Sequence, residues 1–253
     1  MDIAATPGLD GRVALVTGAT RGLGLAIARK LCASGCHVYL NYAHSDEDAE
    51  RAVELLSGLK GTATTLKFDT SEPDVAPKLL EAVRRQHTQL DIFVHNAASF
   101  HPMPAADPHV GDFWDDVRLA VNPLVQAAAK LGETMAPGTG RIIAISSTGA
   151  RSAVPNYVSQ GVGKAALESL VRYLAVELAP KGIAVNAVST GKLDKGTAGP
   201  DAPVARALAA RTPAGRLTRP EDVADVVALL CTDEAAWIHG QVITADGGLS
   251  IRT

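Results

Sequence analysis

The feature that most limits how this chain can fold is an alternation. Short apolar runs recur along its length, separated by longer segments with the spacing of amphipathic helices. Val13-Ala14-Leu15-Val16 reads as a buried strand, Leu23 to Ser34 as a helix, and His37 to Asn41 as a second strand. A polar-faced helix over 46–60 follows, opened by Ser45 as N-cap, then a strand over 62–68, a helix over 75–86 and a strand over 91–95. Residues 113–135 read as mostly helical, with Pro123 expected to kink or break the helix because it lacks an N–H. A strand over 141–146, a long helix over 157–179, a strand over 183–188 and a seventh over 241–245 complete the pattern. Strands that alternate with helices pair in parallel through right-handed crossovers, and near-continuous Val/Ile/Leu/Ala runs suit strands covered on both faces. The expected fold is therefore α/β: a Rossmann-type, doubly wound, parallel seven-stranded sheet in a single domain over 1–253. One segment departs from the pattern. Residues 190–216 are rich in Gly and Pro, and so long a connection is expected to be a functional loop, here a substrate-binding one.

Composition narrows the function classes. A 253-residue chain that is 47% hydrophobic and 20% charged can build a large core and does not read as disordered. A net charge of -3 provides no field for nucleic acid. The cysteines, Cys32, Cys36 and Cys231, are too few and odd in number for a disulfide framework, and they are expected to pack as small hydrophobes with no metal site. Residues 1–10 lack a basic region followed by an apolar one, and no apolar run reaches membrane-spanning length, so a cytoplasmic location is expected.

Chemistry first becomes visible after the first strand. Thr17-Gly18-Ala19-Thr20-Arg21-Gly22-Leu23-Gly24 joins a buried strand to an apolar helix. Glycines there allow a tight turn and a close approach to a pyrophosphate, while the helix N-terminus offers free N–H groups and positive dipole charge. The end of the second strand, Asn41-Tyr42-Ala43-His44-Ser45, carries no carboxylate before Asp46. A carboxylate there would bind the ribose 2′-OH of NAD, so its absence, with Arg21 in the glycine loop, points to a 2′-phosphate and NADP(H). His44 and Ser45 are candidates for hydrogen bonds to that phosphate, although a solvent-exposed loop is an equal reading for His44.

With these motifs in place the chain resembles the short-chain dehydrogenases/reductases. The resemblance rests on Thr17-Gly18-(x)3-Gly22-x-Gly24, Asp69-Thr70, Asn96-Ala97-Ala98, Tyr157, Lys164 and the stretch from Thr212-Pro213 to Asp246-Gly247-Gly248. It implies that Asp69 and Thr70 lie against the adenine, that Asn96, Ala97 and Ala98 line the cofactor, and that Gly191 and Leu193 contact its carboxamide. Lys195 stands where a threonine is usual in that loop, with Thr197 as a substitute. It also implies homodimers or homotetramers. In most members Tyr precedes Lys by four residues; here the interval from Tyr157 to Lys164 is seven, and Gln160 holds the ordinary tyrosine position. Ser147 to Lys164 keeps the usual interval of 17, so the tyrosine alone has moved. Were the segment helical, the shift would be about one turn, ~4.5 Å along the axis.

The seven-residue step is similar to that of the enoyl-acyl-carrier-protein reductases of this family, and the ordinary glycine loop is similar to their NADPH-using branch. Reducing a ketone adds hydride to the carbon that bears the reacting oxygen, whereas reducing an enoyl thioester adds it two carbons further on. A displaced tyrosine suits the second geometry. The resemblance implies a catalytic set of Tyr157, Lys164, Ser147 and Asn122. Tyr157 would hydrogen-bond the thioester oxygen, and Lys164 would hold the nicotinamide ribose and favour the tyrosinate as a nearby cation. Asn122 would support a proton relay, though Pro123 beside it disturbs that match. Ser147 is the residue ketone reducers use to orient a carbonyl, so carbonyl reduction stands as the alternative, and a non-catalytic cofactor-binding role as a third. The expected partner is a small thioester, free or on an acyl carrier protein. Its identity is expected to be set by residues 100–110 and the 190–216 loop. Arg151, Lys192 and Lys195 could meet a phosphopantetheine arm, but a solvated face is the simpler reading.

Overall fold

The computed structural model describes residues 3–194, 196 and 203–252. Its seven strands are β1 (Val13–Val16), β2 (His37–Tyr42), β3 (Thr62–Lys67), β4 (Ile92–His95), β5 (Arg141–Ser147), β6 (Ala184–Thr190) and β7 (Val242–Thr244). They form one parallel sheet in the order β3-β2-β1-β4-β5-β6-β7, the doubly wound arrangement expected. The helices are α1 (Gly22–Ala33), α2 (Asp46–Leu56), α3 (Val75–Arg84), α4 (Val110–Thr134), α5 (Val158–Leu178), α6 (Pro203–Arg211) and α7 (Pro220–Leu230).

The sheet is covered on both faces. One apolar cluster packs Ile27 and Leu31 of α1 and Val223 and Val227 of α7 against Ala14, Val16, Val38 and Leu40. The other packs α3, α4 and α5 through Leu79, Leu124 and Leu167 against Leu15, Phe93 and Val185. Alternate residues of β1 thus enter opposite clusters, as the period of a strand requires. All three cysteines are free and buried, as expected of small core hydrophobes. Ser45 caps α2, its hydroxyl accepting from the Asp48 amide at 3.1 Å.

Two expectations are corrected. Helix α4 runs unbroken through Pro123, which is buried. Leu124, Ala127 and Leu131 anchor the turns after it in the core, so tertiary packing outweighs the hydrogen bond that proline removes. The 190–216 segment is not irregular throughout: α6 occupies 203–211 and Leu193 bridges Thr218 in parallel. Lys195 and Thr197 lie outside the described residues. No described helix is long and apolar enough to cross a membrane.

The strand order reverses between β1 and β4. In a sheet of this kind the crevice beyond the carboxyl ends of the strands at that reversal is where ligands bind.

Candidate active site

Both loops at the reversal are tied together. Thr17 Oγ1 accepts from the amides of Asn96 (2.9 Å) and Ala97 (3.0 Å), and Asn96 Nδ2 donates to the carbonyls of Thr17 (2.9 Å) and Gly18 (3.1 Å). The Ala19 amide donates to the Asn41 carbonyl at 2.9 Å, which joins the end of β2 to the same loop. A Cβ on Gly24 would stand 2.1 Å from the Gly18 oxygen and 2.7 Å from Asn96 Nδ2, so the cradle closes only around glycine. Gly18 and Gly22 have φ of +62° and +54°. Arg21 precedes α1 in extended conformation and leaves the helix N-terminus open. Thr20 is half-buried in the loop, Leu23 packs on the core, and Ala98 is exposed. Beside the loop lies a cavity of about 290 Å³ lined by Gly22, Asp194, Gly196, Arg219, Pro220 and Glu221. The open N–H groups and the cradle fit the pyrophosphate of a dinucleotide.

Asn41, at the end of β2, reads from its position as a cofactor contact. The Asn41 side chain is buried and donates to the carbonyls of Leu66 (3.2 Å) and Phe68 (2.9 Å), so its amide pins β2 to β3 and only its carbonyl shapes the cradle. Asp46 is engaged elsewhere: Lys67 Nζ lies 2.8 and 2.7 Å from its two oxygens and the Tyr42 hydroxyl donates at 2.7 Å. His44 is exposed, its Nε2 3.8 Å from an Asp69 oxygen. Asp69 is partly buried, which raises its pKa, yet the hydroxyl and amide of Ser71 hold it below the ordinary value. Thr70 beside it is buried.

Tyr157 stands at the head of α5. It is the N-cap residue, with φ -120° and ψ 15°, so it precedes the helix and the one-turn shift along the axis is replaced by a step outside it. Its ring lies against Phe100 (centroids 5.3 Å apart) and over Gly149, where a Cβ would come within 2.6 Å of the ring. Ser147, at the end of β5, accepts from the Gly149 amide at 3.1 Å. Lys164, two turns into α5, is buried and donates to the Ile145 carbonyl at 2.7 Å; burial lowers its pKa to about 8. Gln160, buried between them, donates its side-chain amide to the Ser99 carbonyl. Asn122 is exposed on α4, and among the described residues its side chain makes no hydrogen bond. Gly191 lies beside Leu249 and Asp246, and Leu193 is half-buried at its bridge to Thr218.

A family model described as enoyl-(acyl carrier protein) reductase matches residues 18–250. The chain belongs to the short-chain dehydrogenase/reductase family. It is 36% identical to a 1-cyclohexenylcarbonyl-CoA reductase of Streptomyces collinus, over 95% of this chain and 87% of that one. Among solved structures it is similar to the promiscuous reductase LugOII, which catalyses keto-reduction at C1 during lugdunomycin biosynthesis (33% identity, TM-score 0.89, 96% of this chain and 99% of that one). It is also similar to a blue fluorescent protein from a metagenomic library in complex with NADPH (28% identity, TM-score 0.88, 96% and 99%). It is thus an oxidoreductase of a family that uses nicotinamide cofactors.

This short-chain dehydrogenase/reductase holds groups that sequence reasoning did not single out. Asp116 of α4 is fully buried and accepts from Ser99 Oγ (2.6 Å), the His101 amide (2.9 Å), His101 Nδ1 (2.9 Å) and Ser159 Oγ (2.7 Å). Burial alone would raise its pKa, but these donors hold it below the ordinary range. An Asp beside Asp115 in an amphipathic helix reads as surface, so only its place on the inner face reveals it. Arg219, lining the cavity with Gly22, was equally invisible.

His95, the last residue of β4 and the neighbour of Asn96, is fully buried. Its Nε2–H donates to the Ala120 carbonyl at 2.9 Å, while Nδ1 has no partner among the described residues. Burial, and next the nearby Lys164 charge, lower its pKa from 6.5 to about 4. The unfolded chain therefore binds the proton first. The stability this ring contributes is complete above about pH 6.5 and is lost as pH falls toward 4, by about 3 kcal/mol at that limit. Denaturant melts across this window should show the loss in the parent chain and a smaller one in His95→Asn.

Proposed function

We propose that this chain reduces the carbon–carbon double bond of an enoyl thioester, on CoA or an acyl carrier protein, with NADP(H) as cofactor. The observation that carries this reading is the placement of the acid. The position four before Lys164 is a buried glutamine bound to Ser99, which cannot serve as an acid, and the tyrosine stands outside the helix against Phe100. The cofactor, when bound to the glycine cradle, supplies the hydride. The chain's residues do the rest. Tyr157 donates its hydroxyl to the thioester oxygen and stabilises the charge that develops there. Lys164, steered by the Ile145 carbonyl, holds ribose hydroxyls. Phe100 and the described residues of the 190–216 segment bound the substrate. Exposed apolar residues on α4 and α5, such as Trp114, Val125, Tyr173 and Val176, support pairing between copies.

The exposed Arg21, His44 and Ser45, together with the diversion of Asp46 to Lys67, support a 2′-phosphate site. Arg21→Ala should raise KM for NADPH about 10- to 100-fold, the size of a lost charge-assisted hydrogen bond, and leave KM for NADH nearly unchanged. Steady-state kinetics with both cofactors measure this.

Ser147, half-buried near the tyrosine ring, favours carbonyl reduction as a second reading, as does the likeness to LugOII. An NADPH-linked screen of 2-enoyl against 3-ketoacyl thioesters separates the two. Oxidation of NADPH with the ketoacyl series alone would overturn the first reading.

A further inference from the structure

Adding hydrogen across a carbon–carbon double bond requires a hydride on the β-carbon and a proton on the α-carbon. On the proposed reading, Tyr157 serves the oxygen, which leaves the α-carbon without an assigned donor. The loop beside Tyr157 contains a candidate. His101 follows Phe100, whose ring packs on Tyr157. Its Nδ1 and its backbone amide are both held by Asp116. Since a carboxylate accepts, Nδ1 carries a hydrogen, and a protonated ring would present its second hydrogen on Nε2. The carboxylate is fully buried and the imidazole 46% exposed, so the dyad has an anchored end and a solvent-facing end.

The frame around it is closely braced. Asp116 also holds Ser99 on one side of Phe100 and Ser159, two residues after Tyr157. Gln160 reaches the Ser99 carbonyl, and the Met103 amide donates to the Asn156 carbonyl. The acid loop and the tyrosine are therefore positioned by the same contacts.

We propose that His101, oriented by Asp116, is a second acid of this site and delivers the proton to the substrate α-carbon. The inference rests on the enoyl reading above. Once a hydride from reduced nicotinamide has been added to the β-carbon, the electron pair of the double bond lies in the enolate. The α-carbon takes the Nε2 proton, forming a C–H bond, and the imidazolium becomes a neutral imidazole. Solvent returns the proton to the exposed ring while Asp116 stays ionised. The hydrogen bond to Asp116, with the fields of Asp116, Asp112 and Asp115 of α4, outweighs desolvation and raises the His101 pKa, which favours the acid form.

The test uses the full chain with trans-2-butenoyl-CoA and NADPH in D2O. The parent chain is expected to place solvent deuterium on one face of the α-carbon, with kcat declining as alkaline pH removes the imidazolium. His101→Gln is expected to lower kcat about 100-fold, the low end for a lost general acid, and to scramble the α-deuterium between faces, while the alkaline decline due to Lys164 remains. Added imidazole should restore part of the rate to His101→Ala. A His101→Gln chain that keeps kcat within twofold and deuterates one face would overturn the proposal while leaving enoyl reduction standing. A parent chain that oxidises NADPH with ketoacyl thioesters but never with the butenoyl thioester would overturn both.

Discussion

Tyr157→Phe should lower kcat for thioester reduction about 10²- to 10³-fold, the cost of removing one preorganised donor to a developing oxyanion. The fold should be unaffected. Among the described residues the Tyr157 hydroxyl takes part in no hydrogen bond, and the ring contacts with Phe100 and Gly149 survive the change. Unfolding free energy should therefore stay within about 0.5 kcal/mol of the parent. NADPH affinity, followed by fluorescence titration, should also be preserved, because the cradle is built from the β1, β2 and β4 ends and Lys164 of α5 is left in place. Equal turnover by Tyr157→Phe would remove the tyrosine from the chemistry. A loss confined to KM would make it a substrate contact only.

Different parts of this site were legible in the sequence for different physical reasons. The strands and the cradle follow from local signals: short runs rich in apolar residues, and glycines between a buried strand and a helix. The displacement of Tyr157 relative to Lys164 is simple arithmetic on the chain, and the structure adds that the shifted residue lies outside the helix. Pro123 reads as a break because helix propensity is local, whereas the packing of Leu124, Ala127 and Leu131 that holds the turns after it is not. Position marks Asn41 as a cofactor contact and Asn122 as a relay support, but the direction of a side chain is set by neighbours that the position does not specify. Asn41 turns into the sheet, and Asn122 turns out from α4. Asp116 was missed for the same reason. Its four donors come from loop residues 99 and 101 and helix residue 159, a convergence that exists only once α4 and α5 are packed together.

The cradle should be the least forgiving place in the molecule. Gly24→Ala puts a methyl group 2.1 Å from the Gly18 oxygen, 2.9 Å from its carbonyl carbon and 2.7 Å from Asn96 Nδ2. None of these is the free end of a flexible side chain: two are backbone atoms, and the third is fixed by bonds to Thr17 and Gly18. Relief requires α1 to move from β1 or Asn96 to give up its carbonyl partners. Overpacking of this kind costs about 1–3 kcal/mol, and a lost buried hydrogen bond adds about 1 kcal/mol, so a urea melt should register about 3 kcal/mol. Because the atoms displaced are those that place the free N–H groups of α1, NADPH affinity should fall at least ~100-fold, equivalent to about 2.7 kcal/mol. Gly22→Ala provides the contrast. Nothing lies within 4 Å of the added methyl, and the strain comes only from a φ of +54°. That conformation costs a residue with a Cβ about 1–2 kcal/mol. If the cradle works by close contact, Gly24→Ala should lose far more cofactor affinity than Gly22→Ala; equal losses would show that the left-handed turn, and not the approach of α1 to the Gly18 carbonyl, governs binding.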